Sequence, residues 1–215
     1  MSRLRVLAGE DTANAEPFIN LGDILRRRER YGEAVVAYGE AVARIGKLGR
    51  RHWSLLYSRG IALERAKNWP AAEADFLKAL EFVPKQPYVL NYLGYSWVDQ
   101  GHNLEKARKM IETAVSLRPN DGYIVDSLGW ALYRMEDFEK ASRELERAVE
   151  LRPEDPIIND HLGDAYWKVG RRAEARFQWK RSLSLEPEDG LVAGIKAKIE
   201  RGIAEKAEAA SGGND

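Results

Sequence analysis

The side chains of this sequence with the most chemistry to offer are rings, amides and carboxylates set one helical turn apart: Asn91 with Tyr95, Asp126 with Trp130, and Asp160 with Asp164. Residues four apart share one face of an α-helix, so each pair presents its groups side by side. Such groups suit recognition. Rings cover apolar side chains, an amide can bond both the donor and the acceptor of a peptide backbone, and a carboxylate attracts a basic group. Catalysis finds less material. His52, His102 and His161 show no H-E-x-x-H pair or other close ligand spacing, which argues against a metal site, and His161 beside Asp160 and Asp164 reads as one more contact on the same surface. There is no cysteine, so no disulfide, thiolate metal site or thiol nucleophile is available, and neither a glycine-rich phosphate loop nor a G-x-S-x-G elbow occurs. The expectation is a protein without enzymatic activity and without a cofactor.

The elements that must position these groups are repeated. A glycine recurs as Gly22, Gly60, Gly94, Gly129 and Gly163, in steps of 38, 34, 35 and 34 residues. Behind each stands an alanine (Ala34, Ala72, Ala107, Ala141, Ala175), then Ala41, Ala79, Ala114, Ala148 or Ser182 seven residues on. Four of the five units close at Pro84, Pro119, Pro153 or Pro187. Self-similarity at this period belongs to stacked helical hairpins. Two antiparallel helices approach most closely where neither carries a bulky side chain, so the glycine and alanine set the crossing. Tyr38, Phe76, Ile111, Leu145 and Trp179 share one equivalent place and fill the space around it.

The pattern Asp126-Ser127-Leu128-Gly129-Trp130-Ala131-Leu132-Tyr133, with Phe138, Ala141, Ala148 and Pro153 behind it, resembles the tetratricopeptide-repeat (TPR) family over about residues 15–187. The resemblance implies an all-α fold, a right-handed α-solenoid of five TPR helix-turn-helix repeats plus a C-terminal capping helix. Units are expected at about 15–48, 53–86, 87–121, 122–155 and 156–188. The first lacks a closing proline and has Gly46 and Gly49 instead, so its second helix is expected to overrun, while Pro70 falls in a first helical turn, where its missing amide proton costs nothing. Residues 1–14 read as a loose lead-in. Residues 189–209 read as a capping helix with Leu191, Ile195, Ile199 and Ile203 on one stripe, and residues 210–215 as a disordered tail.

In this family the face of each leading helix lines a concave groove. Carried over place by place, the groove residues here are Tyr57, Ile61, Tyr88, Asn91, Tyr95, Tyr123, Asp126, Trp130, Tyr133, Ile157, Asp160, Asp164 and Trp167. Five of the nine tyrosines fall in that set. The partner implied is an extended or short helical segment of another protein, with apolar anchors between the rings and a basic group against the aspartates. A carboxylate clamp of Lys, Asn and Arg is not implied, because the corresponding places hold Tyr, Ser, Asn, Asp and His. The repeat sequences look like those of bacterial multi-repeat proteins, where such an array can also be the regulatory or assembly portion of a larger envelope protein or enzyme.

Charge is balanced, with 34 basic and 34 acidic residues, so no general attraction to nucleic acid or an anionic membrane follows. Residues 1–60 carry 11 Lys/Arg against 7 Asp/Glu, and Arg26, Arg27, Arg28 and Arg30 cluster there. A basic cluster can meet an acidic partner or nucleic acid, although cations at a helix C-terminus also satisfy the helix dipole. The uncapped first repeat offers a route to self-association. No apolar run approaches the ~20 residues of a membrane span, and the expected compartment is the cytoplasm, or the periplasm for part of an exported protein.

Overall fold

Helix starts and stops follow from local chemistry. In a computed structural model, which describes residues 14–204, eleven α-helices and one 3₁₀ turn, with no strand, occupy the described residues. They are α1 (Glu16–Arg27), α2 (Tyr31–Ile45), α3 (Trp53–Arg65), α4 (Trp69–Phe82), α5 (Pro87–Asp99), α6 (Leu104–Leu117), α7 (Gly122–Arg134), α8 (Phe138–Leu151), α9 (Pro156–Lys168), α10 (Arg172–Ser184) and α11 (Asp189–Arg201). Asp121, Asp137 and Asp155 accept amide protons from the first turns of α7, α8 and α9. Pro17, Pro70 and Pro156 occupy first turns of α1, α4 and α9, as Pro70 was expected to. Pro84, Pro119, Pro153 and Pro187 all lie between helices, where a missing amide proton ends one hairpin and separates it from the next.

Each hairpin turns at a left-handed residue: Glu29 (φ 57°), Lys67 (65°), Gly101 (74°), Glu136 (64°) and Gly170 (82°). The following amide reaches back five residues to the leading helix, as from Arg30 to Leu25 and from Asp137 to Leu132, at 2.9 and 3.0 Å. This satisfies a carbonyl that the helix end would otherwise leave open.

Residues Met1–Leu93 and Gly94–Asp215 form two compact units, the division falling within α5. In both, the hairpin core is the predicted one. A Cβ added at Gly22 would come 2.5 Å from Tyr38, at Gly60 2.6 Å from Phe76, at Gly94 2.8 Å from Ile111 and at Gly129 2.5 Å from Leu145, and at Gly163 it would collide with Trp179. Ala34, Ala72, Ala107, Ala141 and Ala175 are fully buried behind these contacts, as are the five bulky partners.

Three expectations are corrected. Helix α2 overruns by one residue only: it has 15 residues against 14 in α4, α6 and α8 and ends at Ile45, where Gly46 takes φ 65°, and the other extra residues lie in the linker and the 3₁₀ turn Arg50–His52. Helix α11 ends at Arg201 rather than near 209, because Gly202 adopts φ 76°. Its stripe is uneven, with Ile195 buried but Leu191 38% exposed, since the first turn of α11 reaches past the surface it covers. The lead-in up to residue 13 and the tail from residue 205 lie outside the described residues.

Candidate functional site

The leading helices α5, α7 and α9 carry the predicted groove residues of the second unit, and the glycine crossings decide which way these residues face. With Gly129 turned onto Leu145 and Gly163 onto Trp179, the next residue of each helix, Trp130 and Asp164, is rotated about 100° away from that crossing. Trp130 lies between two rings: Tyr133 stacks on it at 5.0 Å with planes 8° apart, and His161 of α9 at 4.2 Å with planes 13° apart. His161 Nδ1 stands 2.9 Å from Asp126 Oδ1, both side chains about nine-tenths buried. Burial works to lower the imidazole pKa, but the carboxylates of Asp126, Asp164 and Asp160 outweigh it and hold His161 above its ordinary value. Trp130 and Tyr133 stay partly exposed, and the indole Nε1–H has no hydrogen-bond acceptor.

Asp160 and Asp164 are not waiting for a cation from elsewhere. Lys198 of α11 places its Nζ 2.7 Å from a carboxylate oxygen of each, and Asp164 also accepts the Trp179 Nε1–H at 2.8 Å. Burial pushes the Asp164 carboxyl above the usual carboxylate range; Lys198 opposes the rise and Asp160 adds to it. Trp167 is 6% exposed and donates its Nε1–H to the Ile203 carbonyl at 3.0 Å, while the guanidinium groups of Arg172 and Arg176 lie over its ring. The expectation of open acids and an open Trp167 is therefore corrected. Three carboxylates in this unit face the chain's own His161 and Lys198, a pairing that repeat spacing alone does not reveal.

The edge of the surface is more open. Tyr123 is 52% exposed beneath the Arg152 guanidinium, Ile157 is 42% exposed, and Tyr95 is partly buried. In the first unit, Tyr57 belongs to a ring cluster with Trp53, Phe76 and Tyr92, and burial raises its hydroxyl pKa to about 12. Tyr88 is exposed, Ile61 partly buried, and Asn91 Oδ1 is buried without a hydrogen-bond donor. Of the basic cluster, Arg26 donates to the Tyr38 hydroxyl at 3.4 Å and Arg30 pairs with Glu33 through two 2.6 Å bonds, while Arg27 and Arg28 are exposed. Among the described residues no group of three His, Asp or Glu is arranged to hold a metal ion, and no helix is long and apolar enough to cross a membrane.

Comparison with known proteins agrees with this architecture. Two tetratricopeptide-repeat family models match, one over residues 19–87 and one over residues 129–170, together about half of the chain. The chain belongs to the tetratricopeptide-repeat family. A relative, the TPR repeat-containing protein PA4667 of Pseudomonas aeruginosa, is 35% identical over 81 residues, a stretch that is 38% of this TPR chain but only 14% of that protein. Among solved structures, residues 41 to the end of MamA from Desulfovibrio magneticus superpose with a TM-score of 0.66 at 24% identity, covering 80% of this TPR chain and 94% of that one. YrrB, a TPR protein with an unusual peptide-binding site, gives 0.63 at 19% identity, covering 90% and 97%. These structural likenesses concern the fold. TPR proteins in general are non-catalytic scaffolds for protein–protein interaction, and this TPR chain carries the scaffold.

Proposed function

We propose that the chain captures an extended or short helical segment of a partner protein on the leading-helix face, without catalysis, with Trp130 at the centre of the contact. The observation that carries this reading is the stack Tyr133–Trp130–His161: three parallel rings, two of them partly exposed, around an indole donor that has no acceptor. The Nε1–H itself is buried, so a partner would cover the exposed parts of the Trp130 and Tyr133 rings. Tyr95 and the open edge at Tyr123 and Ile157 add apolar area for a partner's side chains. Peptide binding by YrrB, a protein of the same fold, is consistent with this use. Because the acids are internally paired, the rings provide most of the attraction, and a basic group on the partner would have to compete with Lys198.

Replacing both Tyr95 and Trp130 by alanine tests the reading. In a pull-down from the source organism's extract, the double variant should lose the partners that the parent chain retains while keeping its far-ultraviolet circular dichroism. Undiminished retention rejects the face. A second reading, self-association, is favoured by the first repeat, where Val36 is 62% exposed beside a cleft of about 140 Å³ lined by Phe18, Leu21 and Leu25. Sedimentation that is independent of concentration up to about 100 µM would remove it, since such an interface would have to bind more tightly than that.

A further inference from the structure

Helix α11 does two separable things. Ile195, 1% exposed, covers the end of the fifth hairpin, which is all that a cap requires. Its last turn and the three residues after it do more. Lys198 inserts between Asp160 and Asp164, with the three side chains only 21%, 15% and 11% exposed. Gly202 lies against Trp167 so closely that a Cβ there would collide with the indole, and its φ of 76° favours glycine independently. The Ile203 carbonyl accepts from Trp167, and Ile203 with Ala204 closes one side of a cleft of about 450 Å³ whose other walls include Tyr133, Phe138 and Lys168. A basic side chain against the paired acids, a main-chain carbonyl on an indole and an aliphatic side chain beside a ring are the contacts expected of a bound peptide. Here they are made by the chain itself.

We infer that residues 198–204 are a built-in ligand of the fifth repeat, and that the partner taken there is a short helix bearing a lysine followed four and five residues later by glycine and an aliphatic residue, which enters by displacing α11. The inference rests on the reading that the leading-helix face is the binding surface, and it adds the partner's chemistry. A lysine ammonium has three donors on a compact charge, enough to serve both carboxylates, and the tight approach to Trp167 excludes any side chain at the glycine place. A tethered occupant acts as if present at roughly millimolar concentration, so an identical free peptide of about 10 µM intrinsic affinity is weakened roughly a hundredfold until the tethered one is released.

The test uses the full chain and a fluorescein-labelled synthetic peptide with the sequence of residues 189–204. In Lys198→Glu a third carboxylate faces Asp160 and Asp164 and loosens the built-in ligand, whereas Lys198→Ala removes the cation without adding charge. Fluorescence anisotropy should show the peptide binding at least tenfold more tightly to either variant than to the parent chain, and a peptide with glutamate in place of that lysine binding to none. Circular dichroism confirms that at least one variant remains helical. Equal binding to parent and variants, or no binding to a variant that is helical, overturns the inference. Partner retention that still depends on Tyr95 and Trp130 would then leave the leading-face reading standing, and its loss of dependence would remove that reading separately.

Discussion

Replacing Gly129 by alanine sets two known effects against each other. In an open helix the change stabilises by about 1 kcal/mol, because alanine is the better helix former. Here the added methyl would sit 2.5 Å from Leu145 Cγ, 2.8 Å from its Cδ2 and 3.2 Å from its backbone nitrogen. The leucine side chain is fully buried, and the backbone contact is relieved by moving α8 away from α7. Overpacking of this kind costs about 1–3 kcal/mol, so after the propensity gain of about 1 kcal/mol a net loss of up to about 2 kcal/mol is expected. For a chain of this size that lowers the melting temperature by up to roughly 8 °C. Leu145→Ala alone should cost about 2–5 kcal/mol through its cavity. The double variant should cost less than the sum by at least about 1 kcal/mol, because each change makes room for the other. Urea denaturation followed at 222 nm measures all four corners of the cycle. Gly129→Ala that stabilises the chain, or strict additivity with Leu145→Ala, would refute the assigned crossing.

Two further outcomes follow from the ion pairs. His161, held above its ordinary pKa by Asp126, Asp164 and Asp160, contributes stability that is complete below about pH 6.5, the unfolded value, and is lost as pH rises through the folded value. Denaturation midpoints measured from pH 6 to 9 should therefore fall in the parent chain, and the fall should flatten in His161→Phe. In the first unit, Arg59 pairs with the buried Asp75 through two 2.6 Å bonds, so Arg59→Ala strands a carboxylate and should cost about 3 kcal/mol by urea denaturation, with Asp75→Asn recovering part of the loss when added to it.

What could be read from the sequence is what repeats. Gly129 against Leu145 and Gly163 against Trp179 were legible because the same small and bulky places recur in every unit, and one steric rule explains them all. What could not be read departs from the period. His161 occupies a place held by Ser127 one unit earlier, and its bond to Asp126 depends on a rotamer rather than on a spacing. Lys198 belongs to a helix outside the repeats, so nothing marked it as the partner of Asp160 and Asp164 until α11 was placed. The overrun expected of α2 came to a single residue for a similar reason: four additional residues between Gly22 and Gly60 can be absorbed by a helix or by a linker, and the left-handed Gly46 left the rest to the linker.

Each glycine crossing is complete inside its own hairpin, whereas the bond from Asp126 to His161 bridges two hairpins. A block of 34 residues copied or excised whole would carry its internal fit along unchanged. The same edit next to residue 126 or 161 would leave an imidazole or a carboxylate facing a stranger. Growth and shrinkage of the array are thus nearly free within a hairpin and penalised at joints such as this one and the meeting of Glu146 with Tyr166 and Arg171, which together favour one order of the fourth and fifth repeats.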